Sequence, residues 1–257
     1  MITLPPDRLP AAHEAHVWYA WVEQCSAPLL LERYRAMLSA DERERLGRYV
    51  FDYLRREYLL TRALCRTTLS RYADVDPAEW SFCTNRYGRP EIAGPPGMAG
   101  LRFNLSNARS LVACVVTRDA DAGIDVEESC HAGDLLSIAE TVFSPFERAQ
   151  LLALPQALQR QRFFDLWTLK ESYIKARGMG LSLPLQQFSF HLDTPAIGIA
   201  FAPEMAQDAA RWQFALRHLG PGHTLAVSVE RGHGPDFSVS LRQVIPALGD
   251  DALGRAA

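Results

Sequence analysis

Two pairs of segments in the 257-residue chain repeat each other at nearly equal intervals, and this limits the fold more than any other feature. "WSFCT", from Trp80, resembles "FSFHL", from Phe188; "LRFNLSNARSLVACVVT" resembles "WQFALRHLGPGHTLAVSVE". The interval from Phe82 to Phe190 nearly equals that from Phe103 to Phe214, and a helical segment precedes the strands in both copies. Alternation of apolar and polar residues produces such matches by itself, but regular order and spacing are what a duplicated unit leaves behind. The pattern predicts an α+β chain of two pseudo-symmetric halves, each a small, mainly antiparallel sheet packed on helices. The halves are residues 1–120 and 121–230; residues 231–257, with "GHGPD" and a small-residue end, read as a peripheral C-terminal extension.

Composition narrows the function. With 48% hydrophobic and 22% charged residues the chain reads as soluble and globular. A formal net charge of -3 gives no field for polyanions, so nucleic acid is not an expected partner and any anionic ligand needs a local cluster. "MITLPPDRLPAAHEAH" lacks the basic start and apolar run of a secretory signal, and no uncharged apolar stretch is long enough to cross a membrane. The expectation is a cytoplasmic protein without a membrane partner. Cys25, Cys65, Cys83, Cys114 and Cys130 are widely spaced with no CxxC pair, which suits reduced thiols. No HExxH accompanies the histidines, so a histidine or cysteine metal site is not expected.

Along the chain, "SADERERL" from Ser39 is a helix-start signal, and residues 39 to 73 read as one long helix or two in tandem. "WSFCTNRYGRPEI" reads as a strand, a turn built on Gly88 and Pro90, and a short return. Two strands, "LRFNLSN" and "LVACVVT", are joined by the polar "SNARS", and "AGIDVEE" is a further strand. A helical region around 133 to 162 leads to the helix containing "DLWTLKESYIKARG", and the end is β-rich.

Three segments carry residue types suited to phosphate chemistry. Asp125 and Glu127, two apart on a strand, share a face at about 6 to 7 Å along it, a spacing that lets two carboxylates share a hard cation; a solvated acidic strand end fits the same pattern. Trp167, Glu171 and Lys175 recur at helical spacing and fall on one face. Lys170 and Lys175 are the only lysines in a chain otherwise supplied with arginine. Lysine offers a compact point charge on a flexible stem, suited to a phosphate oxygen in a tight site. Third, the turn with Gly88 and Arg89, and Ser106, Asn107 and Arg109 just after a strand, would cradle a phosphate with backbone amides, a hydroxyl and a guanidinium. No Walker loop or GxGxxG occurs.

"YGRP", "FNLSN", "GIDVE" and "LWTLKESYIKARGMGLSLPL", in this order, resemble the motifs of the surfactin-type 4'-phosphopantetheinyl transferases, from about residue 18 to about residue 230. The resemblance implies coenzyme A in a cleft between the halves, as co-substrate rather than resident cofactor. It implies transfer of its 4'-phosphopantetheine arm to a serine hydroxyl of an apo acyl or peptidyl carrier protein, with release of adenosine 3',5'-bisphosphate. By the same resemblance Asp125, Glu127 and Glu171 hold magnesium and Lys175 meets the pyrophosphate. Tyr87, Gly88, Arg89, Pro90, Ser106 and Asn107 would hold the adenosine end and its 3'-phosphate. Glu171 is the first candidate for general base, directly or through a metal-bound water, and Glu127 the second. Lys170 matches the motif but points about 100° away from Glu171, for carrier contact or structure. Acidic carriers would be steered by an arginine-bearing rim, and the chain is expected to act as a monomer.

Two departures stand out. Asn107 occupies the place of the family's usual histidine, and in "DERERL" Glu42 stands where relatives place a lysine, leaving Arg45, with Arg48, Arg55 or Arg56 to compensate. Arg45 and Arg56 are therefore expected on the 3'-phosphate side. These departures also motivate a second reading, a coenzyme A- or carrier-binding homologue with impaired catalysis.

Overall fold

The computed structural model describes residues 9–98, 100–129, 133–220 and 222–248. The first half runs β1 (Glu14–Trp21), α1 (Pro28–Met37), α2 (Ala40–Arg48), α3 (Asp52–Leu69), β2 (Ser81–Thr84), β3 (Pro90–Gly94), β4 (Leu101–Ala108) and β5 (Leu111–Arg118). The second runs β6 (Ala122–Glu128), α4 (Leu135–Val142), α5 (Pro145–Ala153), α6 (Gln156–Arg177), β7 (Phe188–His191), β8 (Gly198–Phe201), β9 (Trp212–Leu219) and β10 (His223–Glu230), followed by β11 (Ser238–Gln243).

The repeated sequence segments occupy equivalent places. "WSFCT" and "FSFHL" supply β2 and β7, each in a two-stranded ribbon, β2-β3 and β7-β8. The longer repeats are the antiparallel hairpins β4-β5 and β9-β10. Each hairpin is completed by the strand that opens its half: β1 pairs antiparallel with β5, and β6 with β10. The sheet orders are β11-β1-β5-β4 and β6-β10-β9. Residues 39 to 73 form two helices in tandem, the first opened by a capping box in which Ser39 and Glu42 satisfy each other's backbone amides.

The C-terminal segment corrects one expectation. Ser238–Gln243 is not peripheral: β11 pairs in parallel with β1, Glu14 opposite Ser238 through Tyr19 opposite Gln243. An edge strand of the first sheet leaves a row of open backbone groups, and the last described part of the chain covers it.

Three apolar clusters stack the layers. Trp18, Val112, Cys114 and Val116 face α3 with Leu60 and Leu64. Ala226 faces α6 with Leu169 and Tyr173. The alternate residues Val17, Leu111, Ala113, Val115, Ile124, Val126, Leu225 and Val227 pack the two sheets on each other. Period-two alternation thus feeds two cores from one strand. Between the sheets β4 and β6 are stitched by side chains: Asn104 Oδ1 accepts from Ile124 N–H at 3.1 Å and Ser106 Oγ from Val126 N–H at 3.2 Å.

Candidate active site

Gly123 decides how close the carboxylate strand lies to α6. A Cβ there would stand 2.1 Å from Ser172 O and 2.3 Å from Ala176 N, so only glycine allows this contact between strand and helix. Ile124 and Val126 point into the inter-sheet core, which turns Asp125 and Glu127 toward α6. Along the helix, Trp167, Glu171 and Lys175 meet them: Trp167 Nε1 donates to Glu127 Oε1 at 2.8 Å, and Lys175 Nζ lies 2.7 Å from Asp125 Oδ1. Alternation on β6 and helical spacing on α6, both legible in the sequence, therefore bring these five side chains together.

The electrostatics of the group are strained in one direction. Burial, then the neighbouring Asp125, push Glu127 from 4.5 up to about 7, although Trp167 and Lys175 pull the other way. Glu171 is raised by burial and by Asp125, against Lys175. Asp125 is 4% exposed, and its Oδ2 is buried without a hydrogen-bond partner among the described residues. Carboxylates massed in low dielectric with an orphaned oxygen favour a cation. As the side chains stand, no group of three or more His, Cys, Asp and Glu among the described residues is gathered closely enough to hold a metal ion. Lys175 instead occupies Asp125 Oδ1, and Trp167 one oxygen of Glu127. The donor chemistry fits a hard cation such as magnesium.

A cleft of about 490 Å³ opens beside Glu127, walled by Tyr53 and Glu57 of α3, by Asn107, Ala108 and Arg109 at the end of β4, and by Glu127 and Glu128 of β6. Both halves contribute to it. A second cavity, of about 390 Å³, runs along β3 and β4 past Arg89 and Pro90 and touches none of the three carboxylates. The cleft with Glu127 is therefore the candidate site. Glu57, which sequence reasoning missed, projects into it, accepts a hydrogen bond from Asn107 Nδ2, and is raised by burial. Its signal was the Tyr53, Glu57 pair one turn apart on a helix read only for its apolar face.

Several expected phosphate contacts are placed otherwise than a turn cradle would require. Ser106 and Asn107 lie inside β4, because the hairpin closes tightly at Arg109 and Ser110 with Ala108 opposite Leu111. Their backbone is thus part of the ladder, and the expected amide cradle after the strand is corrected. Ser106 is buried and its hydroxyl is engaged by Asp125, Val126 and Lys175. In the "YGRP" turn Gly88 has φ +88°, and Asn85 Oδ1 accepts from the amides of Tyr87 and Arg89. Arg89 does not face open solvent: its side chain, 7% exposed, donates to Ala176 O at 2.9 Å and to Asp121 Oδ1 at 2.6 Å. Asn85 Nδ2 donates to Gly178 O at 2.9 Å, so this turn caps the C-terminal end of α6. Pro90 begins β3, and Tyr87 is exposed.

Arg45 is exposed on α2 and stacks over Tyr58 at 5.5 Å; Arg56 is exposed on α3. Arg109 stacks over Tyr53 at 5.1 Å on the cleft wall. Glu42 is not at the site. It is buried, ion-paired with Arg62 and Arg66, and these contacts outweigh burial to lower its pKa. Lys170 is fully buried, 2.9 Å from Glu147 Oε2 and within 2.7 Å of Leu185 O and Phe188 O. Of its two expected roles, the structural one is what these contacts describe. Cys25, Cys65 and Cys114 are buried free thiols and Cys83 is an exposed one; Cys130 lies outside the described residues. Among the described residues no helix is long and apolar enough to cross a membrane.

Residues 121–228, from the start of β6 nearly to the end of β10, match the model of the 4'-phosphopantetheinyl transferase superfamily. The 4'-phosphopantetheinyl transferase HetI of Nostoc sp. is 33% identical over 225 residues, 88% of this chain and 90% of its own length. Sfp of Bacillus subtilis, also a 4'-phosphopantetheinyl transferase, is 31% identical over 83% of this chain and 90% of its own. A phosphopantetheinyl transferase of Thraustochytrium sp. is 32% identical over 82% of this chain and 76% of its own. With likeness this extended, and with the motif residues of β6 and α6 gathered around Asp125 and Glu127, the chain belongs to the 4'-phosphopantetheinyl transferase family and is an enzyme of that class.

Proposed function

We propose that this chain transfers the 4'-phosphopantetheine group of coenzyme A to a serine hydroxyl of an apo acyl or peptidyl carrier protein, with magnesium, releasing adenosine 3',5'-bisphosphate. The observation that carries the reading is the buried Asp125 Oδ2, without a hydrogen-bond partner among the described residues, beside Glu127, Glu171 and Lys175, with Glu127 on the wall of a cleft made by both halves. Asp125, Glu127 and Glu171 would hold the magnesium. When bound, it would offset the charge of the diphosphate that repels an incoming hydroxyl and steady the departing phosphate.

The chain's own residues would do the rest. Lys175 exchanges Asp125 Oδ1 for a diphosphate oxygen, a move its flexible stem allows. Trp167 fixes Glu127 Oε1 and so limits that carboxylate's freedom. Glu171 has no hydrogen bond or ion pair among the described residues, which leaves it the freer of the two to accept the serine proton. Tyr53 and Arg109 offer a stacked, cationic wall to the adenosine end, with Arg45 and Arg56 on the neighbouring helices, and the chain acts as a monomer. Residues 1–120 and 121–230 act as the two walls of the site.

The test is a panel of apo acyl and peptidyl carriers incubated with the protein, coenzyme A and magnesium. Each productive carrier gains the mass of one phosphopantetheine, and chelation of the magnesium stops the gain. If every carrier keeps its mass, the reading is wrong.

A further inference from the structure

Ser106 is where the two halves meet at the metal-binding strand. Its hydroxyl has one proton and two lone pairs, and all three are used. It donates to Asp125 Oδ1 at 2.9 Å and accepts from Val126 N–H at 3.2 Å and from Lys175 Nζ at 2.9 Å. The residue is 4% exposed, on β4 of the first half, while its three partners sit on β6 and α6 of the second. A hydroxyl so buried and so fully bonded has nothing left with which to bind a phosphate in the cleft.

What it does is orient a carboxylate. With Oδ1 fixed by Ser106 and the Val126 amide fixing Ser106 in turn, the Asp125 carboxylate cannot rotate freely, and Oδ2 remains the orphaned oxygen. When Lys175 leaves Asp125, Ser106 keeps its other two bonds and the carboxylate stays aimed. The geometry points to Ser106 as a positioning residue that sets the metal affinity of Asp125 from the opposite half, rather than as a contact to the adenosine 3'-phosphate. This rests on the transferase reading above. Groups that hydrogen-bond metal ligands from behind change metal affinity by about 10- to 100-fold when removed.

The experiment titrates the full chain with Mn²⁺ at saturating coenzyme A, following free Mn²⁺ by electron paramagnetic resonance, for wild type, Ser106→Ala and Ser106→Thr. Alongside it, kcat/KM is measured for coenzyme A and for 3'-dephospho-coenzyme A. Ser106→Ala is expected to weaken Mn²⁺ binding about 10- to 100-fold. Ser106→Thr, which keeps the hydroxyl, is expected to recover most of it, with the preference between the two coenzymes unchanged in both variants. Wild-type binding with unchanged affinity in Ser106→Ala overturns the assignment, as does lost discrimination between the coenzymes at unchanged Mn²⁺ affinity. A wild-type chain that neither binds Mn²⁺ nor modifies a carrier overturns the transferase reading as well. If Ser106→Ala does not fold, Ser106→Cys, similar in shape with a weak donor, is read in the same way.

Discussion

The two halves share an order of elements and differ in what their helices cover. α3 lies on a strand face of Trp18 and Ala20, and its buried charges are complete: Glu42 is held by Arg62, Arg66 and its own helix cap. α6 lies on Gly123, Asp125 and Glu127, and its charges divide within a single helix. Lys170 meets Glu147 and two carbonyls in the dry core, whereas Lys175, a little over one turn on, meets carboxylates that outnumber it. The same fold thus holds one set of buried charges that is fully paired and another in which carboxylates outnumber their cation. Burial raises the cost of both; the first is paired throughout, whereas in the second Lys175 and Trp167 offset only part of it and Glu127 and Glu171 stay raised.

The largest effect expected from breaking this contrast is Lys170→Met. It leaves Glu147 buried without its cation, which costs on the order of 3 to 5 kcal/mol. Denaturant unfolding should show the loss, and a variant with wild-type stability would refute the structural role. Lys175→Met should lower transfer while costing less stability than Lys170→Met, because the Lys175 side chain is 28% exposed where that of Lys170 is fully buried; an equal loss in denaturant unfolding would refute the contrast. Asp125→Ala or Glu171→Ala should lower carrier modification by at least about 10²-fold, the scale of losing several kcal/mol of charge stabilisation, with the circular dichroism spectrum unchanged.

Gly123→Ala is next. Its methyl would strike backbone of α6, and the helix must move away at a cost of about 1 to 3 kcal/mol. A lower Tm with weakened Mn²⁺ binding is expected, because strand and helix carry the carboxylates; unchanged values would show that the contact is looser than described.

Titration gives a smaller effect. Glu127 is raised from 4.5 to about 7, so between these pH values the folded state keeps a proton that the unfolded chain has released. Its contribution to stability is therefore full below about 4.5 and is lost as pH rises toward 7. In chelator, wild type should lose stability over that window and Glu127→Gln should lose less. Equal slopes would show that Glu127 does not titrate as described.

The smallest is Asn107→His. In the cleft Asn107 faces Glu57, and a histidine there restores the residue type of the resembling family. Coenzyme A affinity should rise a few-fold, about 1 kcal/mol or less, by isothermal titration. A fall would show that Asn107 and Glu57 form a pair suited to this chain's own ligand contacts.

Much of the site was legible because local periodicity placed it. Two-residue spacing put Asp125 and Glu127 on one face, and four-residue spacing put Trp167, Glu171 and Lys175 on another. The repeat was legible because equivalent hairpins bury equivalent apolar faces. β1 and α1 were not singled out, although "EAHVWYAW" is buried nearly throughout, since a strand buried on both faces has no clean alternation to read. β11 was hidden because its place depends on the open edge of β1, more than two hundred residues away. Arg89 and Ser106 looked like phosphate ligands in the sequence, where a guanidinium or hydroxyl has no visible partner.

By itself, the sequence determined the duplicated α+β plan, the two facing sets of carboxylate and lysine, and the chemistry they suit, because these follow from residue type and short-range spacing. Only the tertiary structure decided which charges are satisfied. Lys170 differs from Lys175, Glu42 from Glu57 and Ser106 from a free hydroxyl through partners distant in sequence. Whether a buried polar group is closed or open depends on those partners and on the water they exclude.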